Sequence, residues 1–190
     1  MGARPVSSDP RSKRSRQQIL DAVHRQARAG ELTSISSLSA AAGVTRATFY
    51  NHFDTIEEAA WFAIHDNFDH ILERAFEDRR RGISFEAAGV ESLRLIVEVF
   101  RSAPQLVRLA DAYDNGADLT GIAEIFRAQT AIVWVDSGRE SATAEVEITY
   151  AAAGLYAVLA IGARGEDDPQ DIARVAHAQL PEWMRQPDRG

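Results

Sequence analysis

Cysteine is missing from all 190 residues. That excludes a disulfide scaffold, a Cys-ligated zinc site, an iron–sulfur cluster and a thiol nucleophile. It also fits a reducing, cytoplasmic setting. Lysine is almost missing: Lys13 stands alone. No long apolar run is present either. The longest, Ile148 to Ala163, has 16 residues between Glu147 and Arg164, includes Thr149 and is rich in alanine. A membrane span needs about 20 mostly apolar residues, so the expectation is a buried helix and no membrane. The stretch from Met1 to Arg16 is basic and has no apolar centre, unlike a signal peptide. Val6 stands where a myristoylation pattern places Ser or Thr. His-x-Glu, Gly-x-Ser-x-Gly, HExxH and a glycine-rich phosphate loop are all absent. No enzyme and no cofactor are expected on those grounds.

What is present is ordinary in bulk and uneven in distribution. Hydrophobic residues make up 45% and charged residues 26%, as in soluble globular proteins. The length allows one domain or two small ones. The net charge of −7 hides a contrast. Residues 1–55 hold eight basic groups against four acidic ones, and the rest of the chain holds 13 against 24. A basic end on an acidic body suits a polyanion-binding head. A basic disordered tail accounts for the same numbers.

Helical periodicity runs through the chain. Residues 1–13, with Pro5, Pro10 and three serines, carry no apolar pattern and read as a disordered basic arm. From Ser15, apolar residues Ile19, Ala22, Val23 and Ala27 recur at helical spacing up to Gly30. Ser34 caps a short helix through Ala42, and Thr45 caps another from Arg46 to Phe53. Thr55 starts a longer helix that ends near Arg80, with Ile56, Ala60, Phe68, Ile71, Leu72 and Phe76 on its apolar face. Further helices are expected over 85–103, from Pro104, over 119–135, over 141–163 and from Pro169 through Trp183. No alternating strand pattern and no fixed-period repeat are present.

The segment from Ser34 to Phe53 is the informative one. Two short helices around a glycine turn form a helix-turn-helix. Ala41 and Ala42 are small enough for close crossing, and Gly43 supplies the turn. Leu38, Val44, Phe49 and Phe53 have the types and spacing to lock the pair onto Ile19 and Val23. Arg46, Ala47, Tyr50 and Asn51 remain for the outer side, with short or planar side chains suited to groove edges.

Over Ile19 to Phe53 the sequence resembles the DNA-binding head of the TetR/AcrR family of transcriptional regulators. The likeness rests on Leu38-x-x-x-Ala42-Gly43-Val44 followed by Thr45-x-x-Thr48-Phe49-Tyr50-x-His52-Phe53. The resemblance implies base contacts from Arg46 and Ala47, and base or sugar–phosphate contacts from Tyr50 and Asn51. It implies phosphate contacts from Ser36, Thr45, Thr48 and His52. The family usually places a lysine at the start of the next helix, where this chain has Ile56.

The resemblance also implies an all-α architecture: a helix-turn-helix head over 14–55 and a ligand-binding and dimerisation body over 56–190. The partners would be a double-stranded DNA operator, a small-molecule effector and a second copy of the chain. The implied function is a ligand-released repressor; an activator or a ligand-independent architectural protein is the alternative. His65, Phe68, Phe100, Tyr113, Phe126, Trp134 and Tyr150 are the candidates for an effector pocket. Small residues over 141–163, among them Ala153, Gly154, Ala157 and Gly162, suit a helix-packed dimer interface, with Leu155, Val158, Leu159 and Ile161 adding apolar area; with the last helix, ending at Trp183, two copies would form a four-helix bundle, as the resemblance implies. His65 with Asp69, and Asp66 with His70, are spaced for chelation on a helix. The two pairs lie on different faces without a third ligand, so no metal is expected.

Overall fold

Caps decide where these helices begin. The hydroxyls of Ser34, Thr45 and Thr55 accept the backbone N–H of Ser37, Thr48 and Glu58 at 3.1, 3.0 and 3.0 Å. Each satisfies a donor that the first helical turn leaves open. The computed structural model describes residues 9–114, 116–117, 119 and 121–185. Among them are ten α-helices and no strand: α1 (Pro10–Ala29), α2 (Ile35–Ala42), α3 (Arg46–Tyr50), α4 (Ile56–Arg80), α5 (Phe85–Ser102), α6 (Pro104–Asp111), α7 (Gly121–Asp136), α8 (Ala144–Arg164), α9 (Pro169–Gln179) and α10 (Glu182–Arg185). The protein is all-α.

Several helix ends shift by one to three residues from the expected ones, and three differences have a clear local reason. Helix α1 begins at Pro10, inside the stretch expected to be a disordered arm. Asp9 caps it by accepting from Arg11 N–H at 3.0 Å, with Pro10 in the first helical position. Of the 1–13 arm, residues 1–8 lie outside the described residues. Helix α3 stops at Tyr50; Asn51 and Phe53 still donate to Ala47 and Phe49, so Phe53 keeps its inward position. The helix expected to reach Trp183 is two helices. Pro181 forces Leu180 into an extended conformation (φ −63°, ψ 144°), which ends α9 and starts α10.

Two compact units result, and neither is continuous in sequence. The first is the chain through Asp66 together with Ser102–Ile122; the second is Asn67–Arg101 with Ala123 onward. The first unit has a core of Ile19, Val23, Leu38, Phe49, Phe53 and Leu106, all closed to solvent. Gly43, in the left-handed region at φ 68°, turns α2 into α3. Arg25 on α1 donates to the Ala41 carbonyl near the end of α2 at 3.1 Å, where the helix dipole favours a cation.

The second unit is built on α5, α7, α8 and α9 with the later part of α4. Phe68 packs on Phe100 and Phe126, and Tyr156 completes the group. Trp134 and Trp183 meet edge to face at 5.0 Å. Arg127 holds Glu124 at 2.8 Å and reaches Glu145 on α8 at 3.0 Å. Those carboxylates raise the pKa of the Arg127 guanidinium, chiefly through its hydrogen bond to Glu124. Ile172 on α9 packs directly against Gly162 on α8.

Helix α8 is the main surprise. The expectation of a buried helix is wrong: 22% of its apolar stretch is buried. At 21 residues it is also long and apolar enough, by length and composition, to cross a membrane. Its open side is a stripe of Val146, Tyr150, Ala157, Val158 and Ile161, spaced for one helical face.

Candidate functional site

The helix-turn-helix presents its outer side as the spacing requires. Phe49 and Phe53 point inward with no exposure, and this fixes the rotation of α3. Ser36, Thr45, Arg46, Ala47, Tyr50 and Asn51 are exposed, while Thr48 and His52 are half-buried. All eight candidate DNA-contacting residues thus belong to the first unit and keep some accessible surface. Tyr50 is 41% exposed, with its ring against Phe49.

Three of these side chains are engaged in ways the sequence did not reveal. The Thr45 and Thr48 hydroxyls lie 2.9 Å apart in a hydrogen bond. Thr45 Oγ1 also accepts the Thr48 N–H, so Thr45 spends its oxygen on the cap. His52 reaches back to α1, where its Nε2 meets Ser15 Oγ at 2.7 Å. Ser15 Oγ in turn donates to the Ser12 carbonyl at 3.0 Å. A hydroxyl has one proton, so with that proton on Ser12 the His52 Nε2–H is the donor to Ser15. Burial lowers the His52 pKa, and the nearby Arg16 guanidinium lowers it further. The free protein therefore favours a neutral His52 with its proton on Nε2. Arg16 itself lies over the Phe62 and Phe53 rings, at 4.6 and 5.2 Å from their centroids.

Part of the first unit comes from far along the chain. The Gln105 carboxamide on α6 accepts from Leu32 N–H at 3.2 Å and donates to Leu32 C=O at 2.9 Å. Trp61 Nε1–H donates to the Gly121 carbonyl at 2.8 Å. Nothing in the local pattern of 102–122 announces this docking.

The second unit contains a cavity of about 280 Å³ among α4, α5, α7, α8, α9 and α10. Of the seven candidate pocket residues, Phe68 and Phe126 line it. The other five do not. His65 and Tyr113 lie in the first unit, each packed on Trp61 at 5.3 and 5.8 Å. Tyr113 also donates to Glu58 at 3.5 Å, and burial followed by the Glu58 charge raises its pKa. Phe100 is buried behind Phe68, and Trp134 is taken up by Trp183. Tyr150 is 81% exposed on the open side of α8. Several liners were not legible as such in the sequence, among them Phe76, Phe85, Thr130, Met184 and His177. His177 sits on the buried face of α9 beside Ile172, Ala173 and Ala176, and a lone histidine in an apolar register is the signal that would have found it. The side chain is 6% exposed, and its Nε2 has no hydrogen-bond partner.

The His65–His70 stretch does not assemble a metal site: among the described residues no group of three or more His, Asp or Glu comes together to hold an ion. His70 pairs with Glu73 at 3.5 Å.

No family model matches the chain, and no curated protein matches it by sequence. One solved structure similar to it is from Mesorhizobium loti and is described as a candidate TetR-family transcriptional regulator. The two share 16% identity, with 90% of this chain and 95% of that one covered, at a TM-score of 0.49.

Proposed function

We propose that the chain is a DNA-binding transcriptional regulator of the TetR/AcrR type. In this reading it binds a near-palindromic operator as a cytoplasmic homodimer and is released by a small molecule. The observation that carries the reading is the α2–Gly43–α3 unit. Both helices are capped, the turn residue is left-handed, and Phe49 and Phe53 set the rotation that leaves Arg46, Ala47, Tyr50 and Asn51 outward. A short helix fixed this way suits the major groove, with Arg46 reading a guanine and the flanking hydroxyls on phosphates.

The functional head is 14–55, extended at its N-terminus by the first turn of α1, and the body is 56–190. Dimerisation is assigned to the open stripe of α8, which a second copy would cover. A two-fold dimer brings two recognition helices to successive grooves about 34–36 Å apart. Effector binding belongs to the second unit. Helix α4 carries residues of both units, from Ala59 in the core of the first to Phe68 in the cavity of the second. If effector and DNA favour different states of the dimer, each weakens the other by the same factor.

The test is selection from a pool of randomised duplexes. The expected outcome is an enriched near-palindrome with half-site centres about one helical turn apart. Recovery of no sequence in preference to the starting pool overturns the reading.

A further inference from the structure

The cavity of the second unit has a definite chemical character. Four phenylalanine rings face it: Phe68, Phe76, Phe85 and Phe126. Phe76 is 57% exposed although it lies on the apolar face of α4. A large apolar side chain left open at a cavity is one that an occupant would cover. The charged liners, Arg79 and Asp136, have opposite signs and recruit no ion of one charge.

Beside the polar liners Ser92, Gln129 and Thr130 stands His177. It is more than nine-tenths buried, it lines the cavity, and its Nε2 has no partner. Gly89 makes room for the ring: a Cβ at residue 89 would lie 3.2 Å from both Cδ2 and Nε2 of His177. A buried polar nitrogen without a partner is unfavourable, and a ligand's hydrogen bond offsets that cost. Burial lowers the His177 pKa and Arg185 lowers it further, against an opposing effect of Glu86. Burial thus favours the neutral ring, which offers an anion no opposite charge.

We propose that this cavity binds a small uncharged aromatic molecule bearing one hydroxyl group, with its ring among the four phenylalanines and its hydroxyl on His177. A hydroxyl both donates and accepts, so it satisfies Nε2 in either imidazole tautomer, whereas a carbonyl satisfies one. Size follows from volume. A dry cavity of about 150 Å³ accepts benzene, so about 280 Å³ holds a fused or substituted ring. The proposal names the effector class for the regulator read above and rests on that reading for its consequence. The binding itself belongs to the free protein.

The probe is 2-naphthol, with naphthalene and 2-naphthoate as the two comparisons, in equilibrium dialysis against the full chain without DNA. The expected order is 2-naphthol over naphthalene by roughly three- to tenfold, the yield of one net hydrogen bond. The carboxylate is expected to bind weakest. His177→Phe is expected to equalise naphthol and naphthalene, and Ala75→Trp, which fills the cavity from α4, to abolish binding of both. His177→Leu serves as a second variant if His177→Phe fails to fold, with folding checked by circular dichroism. Equal binding of naphthol and naphthalene to the wild type overturns the proposal. So does a naphthol preference that survives removal of His177, or tighter binding of the carboxylate. Failure to select any DNA sequence would overturn the regulator reading and leave this result standing.

Discussion

Gln105 pairs with Leu32 as one strand pairs with the next: its carboxamide accepts the Leu32 N–H and donates to the Leu32 C=O. Leu32 is buried, in the loop between α1 and α2. Its two backbone groups have no helix to serve them, and a residue 73 positions away does so. Gln105→Ala leaves both orphaned, at a cost of about 1–3 kcal/mol. Thermal unfolding is expected to shift down by several degrees, and the Leu32 amide to lose protection in hydrogen exchange. Gln105→Glu keeps the acceptor but sets a carboxylate oxygen against a carbonyl, so it is expected to cost at least as much. Unchanged exchange at Leu32 in both variants would show that the pairing contributes nothing.

That contact also marks the limit of what the sequence discloses. Helix starts at Ser34, Thr45 and Thr55 were legible because capping chemistry is local. The inward set Leu38, Phe49 and Phe53 was legible because a helix has a fixed period. Docking of α6 on the head depends on one amide finding one loop, which no period encodes. The same holds for the pocket: aromatic residues were visible, but only packing decides that Phe126 lines it while Trp134 meets Trp183. Tyr150 misled because an aromatic in an apolar helix reads as core, and here that side of the helix is open among the described residues.

The Ser15–His52 bond predicts a pH-dependent affinity for DNA. His52 has a lowered pKa in the free protein, and its Nε2–H is given to Ser15. A phosphate contact through the other ring nitrogen requires a second proton. Affinity is therefore expected to rise as pH falls below about 6.5, the ordinary histidine value, and His52→Gln is expected to remove that rise. Stability runs the other way. The unfolded chain binds the proton more readily than the fold, so the neutral-His52 contribution is complete above about 6.5 and is lost as pH falls through the lowered folded value. A flat affinity profile in the wild type, or the same rise in His52→Gln, would exclude the phosphate contact.

Exposed cations on the first turn of α1 give a salt-dependence test. Arg11 and Lys13 are exposed and helical. Truncating residues 1–13 would remove the Asp9 cap with them, so substitution is the cleaner experiment. If each cation meets a phosphate, Arg11→Ala and Lys13→Ala are each expected to reduce the slope of log affinity against log salt by about 0.9. An unchanged slope in the double variant would place both away from DNA.

The open stripe of α8 decides between a dimer and a lipid-facing helix. Ala157 and Val158 are exposed, whereas Leu159 is fully buried and Leu155 lines the cavity, so the last two cannot serve an interface. Ala153 is half-buried, which makes Ala157→Arg the better disruption. The wild type is expected to sediment as a dimer at micromolar concentration without detergent, and Ala157→Arg as a folded monomer with much weaker operator binding. A wild type that is monomeric, or that needs detergent to stay in solution, would exclude the dimer assigned to this face.

Arg46 separates a reader of sequence from a binder of phosphate. It is exposed in the first turn of α3, directly after the Thr45 cap. A bidentate arginine–guanine contact supplies about 1–3 kcal/mol of discrimination. Arg46→Ala is therefore expected to lower affinity by roughly 5- to 150-fold on the selected operator and to relax preference at one symmetric pair of positions. Thr48→Ala acts differently. It removes a hydroxyl bonded to Thr45 but leaves the Thr45 cap on the Thr48 N–H, so the helix start survives. Its loss is expected to be smaller and uniform across sequences, because phosphate contacts carry no base information. The measurement is a binding series for each variant on the operator and all its single-base changes. If Arg46→Ala weakens every duplex alike while Thr48→Ala changes base preference, the two roles are exchanged. The hydroxyl pair would then face the bases, and the arginine the backbone.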